Sequence, residues 1–243
     1  AEHGKETAAM IVEPLLQGSA GMRIYPEEYL RKLRALCDAH DVLLIADEIA
    51  TGFGRTGRLF ACERAGISPD LMCLSKGLTG GYLPMSITVV KEKIYEAFYA
   101  DWSEGRAFMH SHTYAGNPLG CAAALAVLDI LDEENVLEQA ENTAAWLTER
   151  MTEAFGAHQS VGEIRHIGLI HAVELVEDRA EKRPFDSARR LGYAIYRRAL
   201  KNGLLLRPLG DVLYFNPPLN IGRDDLDTAI TRMKQSMDEV LEI

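Results

Sequence analysis

A strand-sized apolar run ends in two carboxylates, a pattern typical of a ligand-binding or catalytic site. Leu43-Leu44-Ile45-Ala46 is followed at once by Asp47 and Glu48. Open α/β sheets bind ligands at the carboxyl ends of their strands, so a carboxylate here could serve three chemistries. It could hold Mg²⁺ in a P-loop nucleotidase, serve a dinucleotide site, or pair with the ring nitrogen of pyridoxal phosphate. The structural alternative is a strand-end acid that only caps the next turn.

Two of these chemistries lack their sequence motifs. No G-x-x-x-x-G-K-[ST] phosphate loop occurs in the chain. The one G-x-G-x-x-G match, at residues 52–57, is separated from the apolar run by Asp-Glu-Ile-Ala-Thr, and Asp70 precedes the next apolar run instead of following it. A Rossmann unit joins strand to helix directly through these glycines and ends its next strand in the acid. The pattern therefore disfavours a dinucleotide site.

Lys76 supplies the amine that the third chemistry needs. It begins a glycine-rich loop directly after the apolar run Leu71-Met72-Cys73-Leu74, among small residues that let a bulky ring approach. Because Asp47 and Lys76 each follow a predicted strand of one sheet, we expect both to point into the same crevice. A lysine placed there can form a Schiff base with pyridoxal phosphate. The alternative is a solvated surface lysine.

The segments around this acid and this lysine resemble the pyridoxal-phosphate signature of the class III (ω-) aminotransferases. The resemblance is carried by residues 47–57 and 69–77, and the spacing between Asp47 and Lys76 also fits. Residues 110–118 are similar to the family's H-G-x-T-x-x-G-N-P stretch. The resemblance implies an α/β protein of the fold-type-I class of pyridoxal-phosphate-dependent transferases. This chain would contain part of the large mixed-sheet domain and a smaller C-terminal α/β domain.

By this resemblance, Asp47 and Lys76 are the catalytic residues and both bind the cofactor, pyridoxal 5′-phosphate. Asp47 would pair with the pyridinium N–H and keep the ring protonated by charge attraction. Lys76 would hold the cofactor covalently and, once released by the amine donor, move a proton between the substrate carbon and the cofactor. We therefore expect Lys76→Ala to abolish turnover.

The same resemblance assigns roles to four further residues. His112 and Thr113 match positions that contact the cofactor phosphate across a dimer interface, and Ser111 matches a substrate contact where the family usually has Gly. Arg207 would bind the substrate carboxylate through its planar guanidinium. The alternatives are turn residues for the histidines and a surface ion pair for Arg207. A His-x-His metal site with His110 is not expected, because no carboxylate or cysteine lies at ligand spacing.

The resemblance extends to the substrate. Ala50 and residues 60–63, 206–210 and 214–219 are similar to the family members of biotin biosynthesis. Those members transfer an amino group from S-adenosylmethionine or lysine to 8-amino-7-oxononanoate, which gives 7,8-diaminononanoate. Leu209 departs from them, because an aromatic residue is common there. The alternatives are another class III aminotransferase, acting on ω-amino acids or diamines with pyruvate or 2-oxoglutarate, and a non-catalytic fragment that only dimerises.

Predicted strands and helices, which must position these residues, alternate in the first half of the chain. Apolar runs predict strands at residues 8–12, 42–46, 71–74 and 86–90, with a helix at 26–40 and a short helical piece before residue 71. This rhythm predicts a parallel or mixed sheet covered by helices. Asn117 and Pro118 then suit the N-cap and first turn of a helix over residues 119–131, which we expect to be buried because it is apolar and alanine-rich.

The second half of the chain has a different sequence pattern. Long amphipathic helices are predicted at residues 135–155, 187–202 and 224–242, around short strands near 171–175, 204–207 and 212–215. We therefore expect two domains, residues 1–133 and residues 134–243.

The composition limits the classes of binding partner that we expect. The 243-residue chain carries 36 acidic against 26 basic side chains, a formal net charge of −10. Nucleic acid and anionic membranes are not expected partners, because they need a basic face. The four cysteines form no C-x-x-C pair, which fits a reducing compartment and a cytoplasmic protein. The expected partners are small-molecule substrates and, by the resemblance, a second copy in a homodimer that shares the site.

The resemblance begins midway through a typical family member, and the chain does not begin with Met. The family's phosphate cup and its ring-stacking aromatic residue lie further upstream. We therefore expect this chain to be the C-terminal part of an aminotransferase, with apolar sheet edges exposed where earlier strands are missing.

Overall fold

The computed structural model describes His3 and residues 6–242. The strands are β1 (Ala9–Val12), β2 (Leu16–Gln17), β3 (Arg23–Ile24), β4 (Leu43–Asp47), β5 (Leu71–Leu74), β6 (Ile87–Val90), β7 (Val161–Ile167), β8 (Ile170–Leu175) and β9 (Val212–Phe215). The α-helices are α1 (Glu27–Ala39), α2 (Ala61–Arg64), α3 (Glu92–Tyr95), α4 (Pro118–Glu133), α5 (Val136–Phe155), α6 (Leu191–Lys201) and α7 (Arg223–Leu241). None of these helices is long and apolar enough to cross a membrane.

The chain forms two compact units. Unit 1 comprises the residues up to Leu15, Pro26–Phe53 and Phe60–Asn135, whereas unit 2 comprises Leu16–Tyr25, Gly54–Leu59 and the residues from Val136 onward. Two segments of the first half therefore belong to unit 2. The division of the whole protein into a large and a small domain near residue 133 stays a prediction.

Unit 1 is built on a mixed sheet in the order β1-β4-β5-β6. Strands β1, β4 and β5 run parallel, and β6 is antiparallel to β5. The apolar run of β4 forms the centre of this sheet, where Leu44 and Ala46 are completely buried. In the register of β4 and β5, Asp47 lies beside Cys73, so the carboxyl ends of both strands meet at one edge. The predicted mixed sheet is confirmed.

Helix α1 connects to β4, and its sequence explains which face it buries. Leu30, Leu33 and Cys37 are buried, and their spacing places them on one side of the helix. Glu27 and Glu28 lie in the first turn, where carboxylates stabilise the positive end of the helix dipole. The predicted helix over residues 26–40 is confirmed apart from its terminal residues.

Helix α4 begins as predicted but is not buried as predicted. The Oδ1 atom of Asn117 accepts a hydrogen bond from the Gly120 N–H at 2.8 Å, and Pro118 occupies the first turn. Within the helix, only Gly120 and Ala124 are buried. Its large apolar side chains are exposed: Leu119, Leu125, Leu128 and Ile130. Residues 118–128 of the helix carry no charged side chain on any side, whereas the described residues of unit 1 cover the helix on one side.

Unit 2 packs α5, α6 and α7 with an antiparallel sheet in the order β7-β8-β9. A short antiparallel pair, β2 and β3, belongs to the same unit. Its core is a continuous apolar cluster whose completely buried members include Leu147, Met151, Phe155, Val173, Ile195, Leu213, Met233 and Met237.

One strand prediction in the second half was wrong, and one strand was not predicted. Residues 204–207 form no strand: Leu206 is buried by side-chain packing, Leu205 is exposed, and Pro208 lacks the N–H that would continue a ladder. Arg207 therefore does not end a strand. Strand β7 was not predicted, because its fully buried apolar residues stand only at its ends and a register shift after Val161 breaks the alternation.

Candidate functional site

Asp47 is the last residue of β4 and its side chain is half-buried. Its Oδ1 atom accepts a hydrogen bond from the Ile49 N–H at 3.1 Å, which fixes the carboxylate in an Asx turn. Among the described residues, the second oxygen has no partner. Asp47 thus presents one oriented, unused carboxylate oxygen at the carboxyl edge of the sheet.

Glu48 has the purely structural role that was the alternative for these acids, because it caps the turn after β4. Its side chain is completely buried, and its carboxylate accepts three hydrogen bonds. They come from the Thr51 hydroxyl at 2.5 Å, the Ala61 N–H at 3.0 Å and the Cys62 N–H at 2.8 Å. Glu48 therefore caps α2 and ties it to the turn after β4. Of the two adjacent acids, Asp47 alone remains available to a ligand.

Lys76 lies at the same edge of the sheet as Asp47. Strands β4 and β5 are parallel, and only Leu74 and Ser75 separate Lys76 from Cys73, the neighbour of Asp47. The Lys76 side chain is exposed, and among the described residues its ammonium group has no hydrogen-bond or ion-pair partner. Its backbone φ is +46°, a left-handed conformation that a residue with a side chain rarely adopts and that clusters at functional sites.

The loop that carries Lys76 is held by close packing and by hydrogen bonds. The Ser75 hydroxyl donates to the carbonyl of Met85 at 2.7 Å, and the Thr79 hydroxyl donates to the carbonyl of Leu83 at 2.6 Å. A Cβ atom added at Gly77 would lie 2.9 Å from Cβ of Phe53. Only glycine fits so close an approach, so the residue next to Lys76 is packed against a buried aromatic side chain.

The contribution of Phe53 was missed in the sequence analysis. Phe53 adopts φ +58° and is 4% exposed, and its ring packs edge-to-face against Phe60 with centroids 5.8 Å apart. A large side chain between Gly52 and Gly54 is the sequence signal for it. Gly54 adopts φ +91°, and a Cβ atom at Gly52 would lie 2.9 Å from the Glu48 carbonyl oxygen, so the turn requires glycine on both sides of Phe53.

Ser111, His112 and Thr113 lie in exposed turns before α4, in unit 1. Nδ1 of His112 accepts a hydrogen bond from the Tyr114 N–H at 3.2 Å. None of the described contacts joins these three residues to Asp47 or Lys76. Within the described part of the chain, no group of three His, Cys, Asp or Glu side chains could hold a metal ion.

Arg207 lies in unit 2, exposed in the irregular segment between α6 and β9. In the part of the chain that the structure describes, its guanidinium pairs with no carboxylate. The surface ion pair considered as its alternative role is therefore not formed.

Asp70 lies at the opposite end of β5 from Lys76, away from the candidate site. It is 2% exposed, and its carboxylate contacts Arg34 at 2.7 Å, Lys91 at 3.2 Å and Lys93 at 3.3 Å. Burial alone would raise the pKa of Asp70, but the Leu44 N–H and these three cations hold it well below its usual range. Asp70 joins α1, β4 and the segment after β6.

Comparison with known proteins identifies relatives over nearly the whole chain. Residues 1–237 match the family model described as aminotransferase class-III. The adenosylmethionine-8-amino-7-oxononanoate aminotransferase of Geobacter sulfurreducens is 45% identical over 238 residues, which are 98% of this chain and 52% of that protein. The protein of the same name from Anoxybacillus flavithermus is 45% identical over 242 residues, 100% of this chain and 53% of that protein.

Solved structures of aminotransferases have the same fold as this chain. The adenosylmethionine-8-amino-7-oxononanoate aminotransferase of Methanocaldococcus jannaschii superposes with a TM-score of 0.93 at 36% identity, over 98% of this chain and 55% of that one. An amine transaminase from an uncultivated Pseudomonas species, solved in a PLP-bound form, superposes with a TM-score of 0.91 at 37% identity, over 98% and 53%. The chain thus spans about half the length of the curated relatives that it matches.

Proposed function

Because this chain belongs to the class III aminotransferase family, we propose that its protein is a pyridoxal-phosphate-dependent aminotransferase. The fold agrees with the prediction from sequence, since its structural neighbours are transaminases and its sheet is mixed. The observation that supports the proposal most directly is the parallel pairing of β4 and β5, which brings Asp47 and Lys76 to one edge of the sheet.

The proposed acceptor is 8-amino-7-oxononanoate, which would become 7,8-diaminononanoate, with S-adenosylmethionine or lysine as amine donor. The names of the curated relatives and the biotin-type residues around Ala50 and Arg207 support this substrate. An amine transaminase among the similar solved structures supports the second candidate, a class III enzyme that acts on other amines.

The residues present fit pyridoxal phosphate. Asp47 offers a half-buried carboxylate with an unused oxygen, and Lys76 offers an amine without a protein partner at the same sheet edge. When bound, the cofactor supplies an electron sink for the carbon that carries the transferred nitrogen.

The residues of the chain would bind the group and move protons. Asp47 would hold a proton at the ring nitrogen through the oxygen that Ile49 does not use. Lys76 would bind the cofactor through Nζ and, when free, carry a proton to and from the substrate carbon. The left-handed backbone of Lys76, fixed by Gly77 against Phe53, would restrict where this amine can lie.

The remaining site residues belong to the proposal in the roles that the family suggests. His112 and Thr113 would contact the cofactor phosphate across the interface of a homodimer, and Ser111 would contact the substrate. Arg207 would bind the substrate carboxylate, which agrees with its unpaired guanidinium in the described residues. The unpaired cysteines support a cytoplasmic protein.

The test compares the full-length protein with its Lys76→Ala variant. The wild type is expected to show the absorbance band of a lysine-bound cofactor near about 420 nm and to transfer nitrogen to 8-amino-7-oxononanoate in a single turnover. Lys76→Ala should lose the band and at least about 10³-fold of the rate. Lys32→Ala, an exposed lysine of α1, is the matched control and should retain both.

Two outcomes would contradict the proposal. Absence of the band in the wild type would favour a non-catalytic protein that only dimerises. Single-turnover transfer to pyruvate or 2-oxoglutarate from ω-amino acids, without transfer to 8-amino-7-oxononanoate, would favour the second candidate.

A further inference from the structure

The buried carboxylate of Glu48 has no chemical role in the proposed reaction, yet Glu48 directly follows Asp47 and its N–H bonds to β5, the strand that leads to Lys76. Its side chain is completely buried, and among the described residues no cation pairs with it. A buried carboxylate without a counter-charge is unfavourable unless hydrogen bonds satisfy it. Here the Thr51 hydroxyl and two backbone N–H groups satisfy it, all from residues of unit 1.

The backbone of Glu48 also holds the turn that follows Asp47. The Gly52 N–H donates to the Glu48 carbonyl at 2.9 Å, and the Glu48 N–H donates to the Cys73 carbonyl of β5 at 3.0 Å. Ile49, whose N–H holds the Asp47 carboxylate, lies inside this turn. Any loosening at Glu48 therefore reaches Asp47 through the backbone that joins them.

The same turn is linked to Lys76 by a packing contact. After Thr51, the chain reaches Phe53, whose side chain touches Gly77 so closely that an added Cβ would lie 2.9 Å from it. The ring is held by Phe60, the residue before the helix that Glu48 caps. One network thus leads from the Glu48 carboxylate to the backbone next to Lys76.

We infer that Glu48 is a positioning residue that sets the geometry of both Asp47 and Lys76 through the turn over residues 48–53. The inference rests on the proposed function for its catalytic consequence, but its structural coupling is measurable without the cofactor. Glu48→Gln is the informative change, because an amide keeps the size of the side chain and replaces one acceptor oxygen by a donor. At least one of the backbone N–H groups of Ala61 and Cys62 then loses its acceptor or shares one.

The first measurement is hydrogen exchange in the cofactor-free, full-length protein. Glu48→Gln should speed exchange of the peptide around Lys76, residues 74–80, by about fivefold as well as that of residues 47–53. Glu63→Gln, an exposed acid of α2, is the matched control and should change neither peptide. Faster exchange confined to residues 47–62 would overturn the coupling to Lys76.

The second measurement uses the cofactor-loaded protein. Glu48→Gln should lower kcat by about tenfold with KM nearly unchanged, and should shift the pH midpoint of the bound cofactor's absorbance by at least about 0.5 unit. A variant that melts earlier but keeps the wild-type kcat and midpoint would show that Glu48 is merely structural.

A third variant covers the case in which Glu48→Gln does not fold. Thr51→Val replaces the hydroxyl that donates to Glu48 by a methyl group of similar size and should produce the same exchange and absorbance changes at smaller size. No change in either measurement would overturn the inference. Failure of the wild type to bind pyridoxal phosphate would instead overturn the proposed function, while the exchange comparison would still decide the coupling.

Discussion

Asp47 and Glu48 are neighbours in the sequence, and their environments separate their roles. Asp47 keeps an unused oxygen at the sheet edge, whereas Glu48 is completely buried with three donors. The strand pattern of β4 predicted two acids at a ligand-binding edge and a possible capping acid, and both descriptions apply, each to a different residue. The family resemblance assigned Asp47 to the cofactor, but the sequence assigned Glu48 no separate role, because the donors to Glu48 include backbone groups thirteen and fourteen residues away.

We predict that the buried His171 makes the stability of unit 2 depend on pH. Its ring is completely buried, and Nε2 lies 3.0 Å from the Thr148 hydroxyl, which itself donates to the Ala144 carbonyl. The buried Nδ1 atom has no partner in the described residues. Burial and, to a lesser extent, the stacked ring of His166 lower the pKa of His171 from 6.5 to about 4.

The sign of the effect follows from this lowered pKa. Between pH 6.5 and about 4 the unfolded chain binds a proton that the folded chain does not, so stability falls as the pH falls through this window. We expect a loss of up to about 3 kcal/mol, measured as denaturation midpoints across the window. His171→Leu should remove this slope, and His40→Asn, at an exposed position, should keep it. An unchanged slope in His171→Leu would contradict the assignment.

At the scale of elements, the local pattern was sufficient where an element buries a regular face. The apolar run of β4 and the one-sided leucines of α1 each predicted the element that forms, whereas the Asn-Pro start of α4 predicted where that helix begins but not its exposure. The sequence pattern failed where the pairing of strands does not follow the alternation of apolar and polar residues. Residues 204–207 have strand composition without a partner strand, and β7 has a partner without strand alternation.

Asp70 joins several elements of unit 1 and should contribute to its stability. Asp70→Asn would leave the guanidinium of Arg34, whose side chain is 12% exposed, without its buried partner. We expect the free energy of unfolding to fall by about 3 kcal/mol, measured by chemical denaturation at neutral pH. Asp38→Asn removes the other, 64% exposed partner of Arg34 and should cost less than about 1 kcal/mol.

The pH dependence provides an independent check of Asp70. Because its pKa is lowered in the folded state, its contribution is complete above the unfolded value of 3.8 and is lost as the pH falls below it. Asp70→Asn should therefore flatten the acid side of the stability profile. Equal losses in the Asp70 and Asp38 variants would show that the buried network carries no special stability.

At the scale of the whole molecule, unit 1 exposes large apolar side chains over several elements. They include Tyr82, Tyr99, Trp102, Phe108, Met109, Leu119 and Leu125, all at least 62% exposed. Monomeric proteins rarely expose contiguous apolar surface of this extent. The expectation concerned the sheet edges, where Ile11 of β1 and Val89 of β6 are exposed; the residues above lie outside the sheet.

The exposed face of α4 should make residues 1–243 self-associate when produced alone. We expect large assemblies at micromolar concentration in light scattering. Leu125→Lys with Leu128→Lys should weaken association by about tenfold or more, because two apolar side chains no longer lose water. Leu200→Lys, at a similarly exposed position of α6, should leave association unchanged. A monodisperse monomer of the unaltered chain would contradict this prediction.

The sequence by itself determined the family, the mixed α/β class and the two residues, Asp47 and Lys76, on which the proposed chemistry depends. These follow from local order along the chain: an apolar strand and the polar residue that ends it are adjacent in sequence. Only the tertiary structure decided that Glu48 is a buried cap, that Phe53 packs on Gly77 and that α4 is exposed in this chain. Each of these depends on contacts between residues distant in sequence, which residue type and spacing do not specify.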